Sequence, residues 1–234
     1  MINPGERVSI KEGKLPVIIV APHGYQKDDE NTGFIADYIS TKINAYMVVN
    51  NGWQRNENVD YLDDKADCNN VNHCHEDVIK DEFLDPIIRY KNRILKTHNA
   101  VFVYYIHGMA NRHRQLANDP QLDIVVGFGA GAPNSFSCEP WRKDLFLHLL
   151  NGAGINAYEG SKGGLMSGWA RSNMNQLFRK WYPEPQVQSL QIEIIRDLRV
   201  DLTLASITSE YIGSAIENAL KMKIFVPNAP FKSY

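Results

Sequence analysis

The sequence of 234 residues is short of several things, and each shortage removes a class of protein. Cysteine is scarce: Cys68, Cys74 and Cys138 are too few, and odd in number, for a disulfide framework, so a reducing, cytoplasmic setting is the expectation. No window approaches the ~18 apolar residues of a membrane span. Met1 to Val20 carries Glu6, Lys11, Glu12 and Lys14 ahead of a short apolar run, which does not suit a signal peptide. An excess of one charge is missing too. Lys and Arg number 25 against 27 Asp and Glu, a formal net charge of −2, without the basic field that binds a phosphate backbone. Neither nucleic acid nor a membrane is an expected partner, and the oligomeric state is left open. The remainder is ordinary globular composition, 44% hydrophobic and 22% charged, on a chain long enough to bury one good core. We expect one domain over 1–234.

Short β-branched and aromatic runs bounded by turn residues read as buried strands: Pro16 to Ala21, Ala45 to Asn50, Ala100 to His107, Asp123 to Phe128 and Ser189 to Ile195. Helical patterns lie between them. Thr32 to Ile43 gathers Phe34, Ile35, Tyr38 and Ile39 on one face, Glu139 to Leu150 repeats the pattern, and Asp201 to Met222 forms a longer helix. Such alternation predicts an α/β sandwich, a mixed and largely parallel sheet covered on both faces. Asn51 to Asp77 and Gly152 to Gly168 stay irregular, and loops of that length are candidates for the wall of a site. Pro227 to Tyr234 reads as a surface strap.

Two apolar runs end alike, in Pro22-His23-Gly24 and in Ile106-His107-Gly108. A His-Gly pair closing a buried strand puts an imidazole at the mouth of the sheet, where open α/β sheets take their ligands; the glycine is expected to let the backbone turn away and leave the ring accessible. Two such histidines point to a metal. A catalytic zinc has three protein ligands and an open position, so a carboxylate must join them. Glu30, just before a helix, is the preferred candidate, with Asp28 and Asp29 as alternatives. In the last strand Gln191, Glu193 and Ile195 share a face. A glutamate in so apolar a strand is paired, neutral or at work: either it forms a salt bridge with Arg196 or Arg199, or, beside a metal, it is a general base.

The ordered motifs Pro22-His23-Gly24, a carboxylate opening a helix, His107-Gly108, Asp123-Ile124-Val125-Val126-Gly127, the pair Gly163-Gly164 and Gln191-Ile192-Glu193-Ile194-Ile195-Arg196 together resemble the N-formylglutamate amidohydrolase family. That family is related to zinc carboxypeptidases and aspartoacylases. The resemblance runs from about Val17 to about Arg199. It implies a three-layer sandwich of the phosphorylase/hydrolase-like kind and Zn2+ held by His23, Glu30 and His107. Glu193 matches the catalytic glutamate and Arg196 the arginine closing the last motif. The implied activity is hydrolysis of a C–N amide bond in an N-acyl amino acid or related small amide, a peptide or γ-glutamyl amide being the alternative. Arg55 or Arg196 would meet an oxyanion or substrate carboxylate, while Asp67, Asn69, Gly163 and Gly164 would line the substrate. The sequence departs from the family at Asn70, where Asp67-Cys68-Asn69-Asn70 has no arginine in its last place, and in the loop Tyr25 to Asp29.

Asp67 to His75 also collects Cys68, His73, Cys74 and His75, donors for a second, structural zinc. The rival to an enzyme is a binding module that keeps the fold without turnover.

Overall fold

The computed structural model describes residues 7–222, so the strap expected at Pro227 to Tyr234 lies outside the described residues. Seven strands, β1 (Val8–Lys11), β2 (Val17–Ala21), β3 (Tyr46–Asn50), β4 (Val101–Met109), β5 (Ile124–Gly127), β6 (Ala157–Glu159) and β7 (Val187–Ile195), form one sheet in the order β1-β3-β2-β4-β7-β5-β6. The four middle strands run parallel; β1 pairs antiparallel with β3, β5 pairs antiparallel with β7, and β6 runs parallel with β5. The helices are α1 (Thr32–Ile43), α2 (Asp77–Ile79), α3 (Asp85–Leu95), α4 (Arg112–Leu116), α5 (Pro140–Gly152) and α6 (Leu202–Met222). This is the expected α/β fold, a mixed and largely parallel sheet between helical layers.

The central strands are continuous apolar runs because both faces are covered. Side chains alternate along a strand. Ile19, Ala21, Tyr104, Ile106, Ile192 and Ile194 point to one side, where they pack with Ile35 and Ile39 of α1, Phe146 and Leu150 of α5, and Ile212 and Ile216 of α6. Ile18, Val20, Val103 and Tyr105 point to the other, against Ile79, Phe83, Ile87, Tyr90 and Ile94. Those five come from a helical segment, α2 through α3, that the strand-and-helix reading passed over. Their spacing nonetheless follows the helical period, and five consecutive residues in it, Lys80–Leu84, take a π-helical turn.

The chain goes from β2 outward to β3, then returns to place β4 on the opposite side of β2. Helix α1 packs on one face and α3 on the other. The C-terminal ends of β2 and β4 therefore flank a topological switch point, where an open α/β sheet leaves a crevice. Among the described residues no helix is long and apolar enough to cross a membrane.

Candidate metal centre

His23 follows β2 and His107 lies near the end of β4, and the switch point brings their rings together with centroids 5.1 Å apart, edge to face. The carboxylate between them is Asp29. Its Oδ2 lies 3.3 Å from His23 Nδ1 and 3.6 Å from His107 Nδ1, and it also accepts the Gly108 N–H at 2.9 Å. All three residues are buried, and each offers a ligand atom within 4.8 Å of the others. Two imidazole nitrogens and one carboxylate oxygen make a donor set suited to zinc, with the fourth position left for water or substrate.

That moves the carboxylate from Glu30 to its neighbour. A turn closes here, with Asp29 N–H bonded to His23 O and Thr32 N–H and Oγ1 bonded to Asp29 O. The turn sends the Asp29 side chain inward. Glu30 points out instead and pairs with Arg196 at 3.1 Å. Asp28 accepts the backbone N–H of Arg55 at 2.7 Å. The charge pattern Asp28-Asp29-Glu30 held no signal for choosing among the three, because the choice depends on where the turn closes.

The glycines after the two histidines do not act as expected. Neither Gly24 nor Gly108 has a positive φ, and the rings beside them are buried, His23 at 3% and His107 at 2% exposure. The glycines serve close approach. A Cβ on Gly108 would lie 2.4 Å from the Arg199 guanidinium carbon, and one on Gly24 would lie 2.7 Å from Asn50 O. Arg199 is itself buried, and it donates to Ile194 O at 3.2 Å and Glu30 O at 2.7 Å. It locks the end of β7 to the loop that carries Asp29.

Asp67 completes the cluster. Its Oδ1 lies 2.8 Å from His23 Nε2 and accepts the Asn69 N–H at 2.8 Å, while its own N–H donates to His73 Nδ1 at 3.1 Å. Metal-bound histidines commonly give their second ring N–H to such a carboxylate, which fixes tautomer and ring orientation. Electrostatics follow from this packing. Burial alone would lower the His23 pKa, but Asp29 and Asp67 outweigh it and raise it to about 9. Burial would raise Asp29, yet the neighbouring His107 and His23 rings hold it far below the usual carboxylate range. Asp67 likewise overcomes burial and is lowered, through His23, the Asn69 N–H and the charge of Arg55.

Glu193 sits on β7 opposite His107 of β4 in the parallel register, so the two side chains leave the sheet on the same face. Its Oε1 accepts from Gln191 Nε2 at 2.6 Å. The salt bridge with Arg196 or Arg199 does not form, since Glu30 takes Arg196 and backbone carbonyls take Arg199. Arg55 is exposed, with its charge felt at Asp67 and Asp28. Gly163 and Gly164 close a turn through bonds to Ala130 O and Ser161 O, and no contact ties them to the histidines. Cys68 and Cys74 are buried thiols, and burial pushes Cys68 well up. His75 is taken by Val71 O and Tyr182 Oη. Among the described residues the one group arranged to hold a metal is His23, Asp29 and His107.

No family model matches the sequence, and no curated protein matches it significantly. Solved structures do match in shape. A gene product from Agrobacterium tumefaciens superposes with a TM-score of 0.66 at 13% identity, over 94% of this chain and 97% of its own. An N-formylglutamate amidohydrolase from Ralstonia eutropha JMP134 gives 0.63 at 13%, over 94% and 100%. A bacteriophage poly-γ-glutamate hydrolase gives 0.55 at 12%, over 95% and 92%. At these identities the likeness is one of fold: the chain has the shape of these three structures over nearly its whole length.

Proposed function

We propose that the chain is a zinc-dependent hydrolase of a C–N amide bond in an N-acyl amino acid or related small amide. The convergence of His23 Nδ1 and His107 Nδ1 on Asp29 Oδ2 carries this reading. Support also comes from a fold shared with an N-formylglutamate amidohydrolase and a poly-γ-glutamate hydrolase. His23, Asp29 and His107 hold the metal, and Asp67 holds His23 by its other nitrogen. A zinc ion held there supplies Lewis acidity, polarising a carbonyl and making water acidic near neutral pH.

The chain's own residues do the rest. Glu193, across the register from His107, takes a proton from the attacking water and delivers it to the nitrogen of the leaving amine. Gln191 Nε2 fixes the carboxylate that does this. Arg55 is the cation for an oxyanion or substrate carboxylate, because Arg196 is already engaged by Glu30.

Zinc titration of the purified chain, followed by turnover of N-formyl and N-acetyl amino acids, tests the proposal. Stoichiometric zinc with release of formate or acetate is expected. A chain that takes up no zinc, or takes it up and cleaves none of the panel, sinks it.

A further inference from the structure

Several of the unpaired buried polar atoms among the described residues lie on segments joined to the metal cluster, whose own His107 Nε2 is one of them. They include Asn69 Oδ1, both Asn175 Nδ2 and Oδ1, and Gln191 Oε1. Asn175 and Gln191 are 1% and 2% exposed. A core rarely keeps several buried carboxamides without partners, and each asks for a reason.

The connections between them trace an arc around the cluster. Asp67 Oδ1, which meets His23 Nε2, also accepts the Asn69 N–H. Asn69 O accepts the Met174 N–H at 3.0 Å, which holds Asn175 next in the chain beside it. Gly168 joins Asn175 to Gln191. A Cβ placed there would lie 2.7 Å from Asn175 Nδ2 and 3.1 Å from Gln191 Oε1, and the residue's φ of 64° is one that glycine adopts freely. Gln191 Nε2 then donates to Glu193 Oε1 at 2.6 Å. Neutral amides thus run from His23 on one side to Glu193 on the other.

Their free ends have a polarity. Glu193 is a carboxylate and needs a donor, so it fixes Gln191 with Nε2 toward it and Oε1 free. Asn69 adds a second free acceptor, and Asn175, unpaired at both ends, presents one more whichever way it turns. A substrate carboxylate laid here would meet more acceptors than donors, Asn175 Nδ2 being the one buried unpaired donor of the three amides, with the Glu193 and Asp67 charges close by. A group that donates N–H bonds would satisfy those acceptors.

We propose that Asn69, Asn175 and Gln191 form a cradle for an uncharged, N–H-bearing group next to the scissile bond, so that the site selects amides and peptides over esters and carboxylates at that position. The inference rests on the hydrolase reading above and narrows its substrate class. The experiment uses the zinc-loaded full chain and N-formyl and N-acetyl amino acids, each offered as carboxamide, methyl ester and free carboxylate, with formate or acetate release as the readout. Carboxamide and methyl ester are both uncharged and similar in size, so their ratio of kcat/KM isolates the N–H donor. The carboxamide is expected to lead the ester by at least ~10-fold. The ratio is expected to fall toward one in Asn175→Ala and in Asn69→Ala, and it does not depend on the fraction of protein folded. A wild-type ratio near one, a preference for the carboxylate, or a ratio unchanged in both variants overturns the cradle and leaves the hydrolase standing. No release from any member overturns the hydrolase reading and the cradle with it.

Discussion

Two halves of the same crevice are built on opposite principles. Around the His23 ring the side-chain contacts bring charge to a partner: Asp29, Asp67 and the Gly108 N–H form a network, with His107 Nε2 left unpaired, in which each carboxylate is driven to stay ionised. Around Gln191 and Asn175 the groups are neutral and several are unpaired. The first arrangement suits a fixed multivalent cation, whose charge would take the place of the His23 proton between two ionised carboxylates. The second suits a ligand that comes and goes, because groups without internal partners lose nothing when a substrate binds them. Rigidity and readiness are thus separated within one sheet edge, with Glu193 and Gln191 touching at the seam.

The sharpest break of that contrast is Asp29→Ala. Removing the oxygen shared by both histidines is expected to abolish zinc uptake and turnover together, as read by elemental analysis and product release. Glu30→Gln, whose side chain pairs with Arg196, is expected to keep both; if Glu30→Gln loses zinc while Asp29→Ala keeps it, the cluster is misassigned. Next in size is Glu193→Gln. Loss of the general base is expected to cost ~10²- to 10⁴-fold in kcat with zinc content and melting temperature retained. A folded, zinc-loaded Gln variant with full activity would end the catalytic assignment.

Asp67→Asn leaves the ligands in place and removes only the charge behind His23. Zinc affinity is expected to weaken ~10- to 100-fold, and an unchanged titration would reduce Asp67 to a loop tether. A pH series sharpens the same point. In the metal-free protein His23 is raised from 6.5 to about 9, so its proton stabilises the fold fully below about 6.5, and that contribution is lost as pH rises through about 9. Metal-free protein is therefore expected to melt lower as pH climbs through that window. Zinc competes with the same proton, so its affinity is expected to rise over the same range. Zinc affinity that stays flat there would mean that His23 is not a ligand. Smallest is Asn70→Arg, which is expected to shift relative kcat/KM toward acidic substrates; no shift would show that position 70 does not face the substrate.

Much of this was legible in the chain. The buried strands β2, β3, β4, β5 and β7 announce themselves as runs of β-branched and aromatic residues, and α1 and α6 were legible to within a residue because their apolar periods are long. Strands β1 and β6 were not, being four and three residues long at the sheet's edges, where little burial is needed to hold them. The histidines stood out because each closes an apolar run. Asn175 did not, since nothing local distinguishes it from any loop asparagine.

Sequence alone determined the layered α/β architecture and the placing of His23, His107 and Glu193 at or near strand ends, because hydrophobic period and strand ends are local properties that survive without coordinates of anything else. Tertiary structure decided the rest. Which acid of Asp28-Asp29-Glu30 turns inward depends on a turn braced by Thr32 and on Arg199 arriving from β7. Whether Asp67 backs a ligand depends on a loop returning across 44 residues to reach His23. Whether three amides make one cradle depends on Gly168 letting Asn175 and Gln191 meet. Each of these is a contact between segments distant in sequence, and its energy exists only once the sheet has brought them to the same edge.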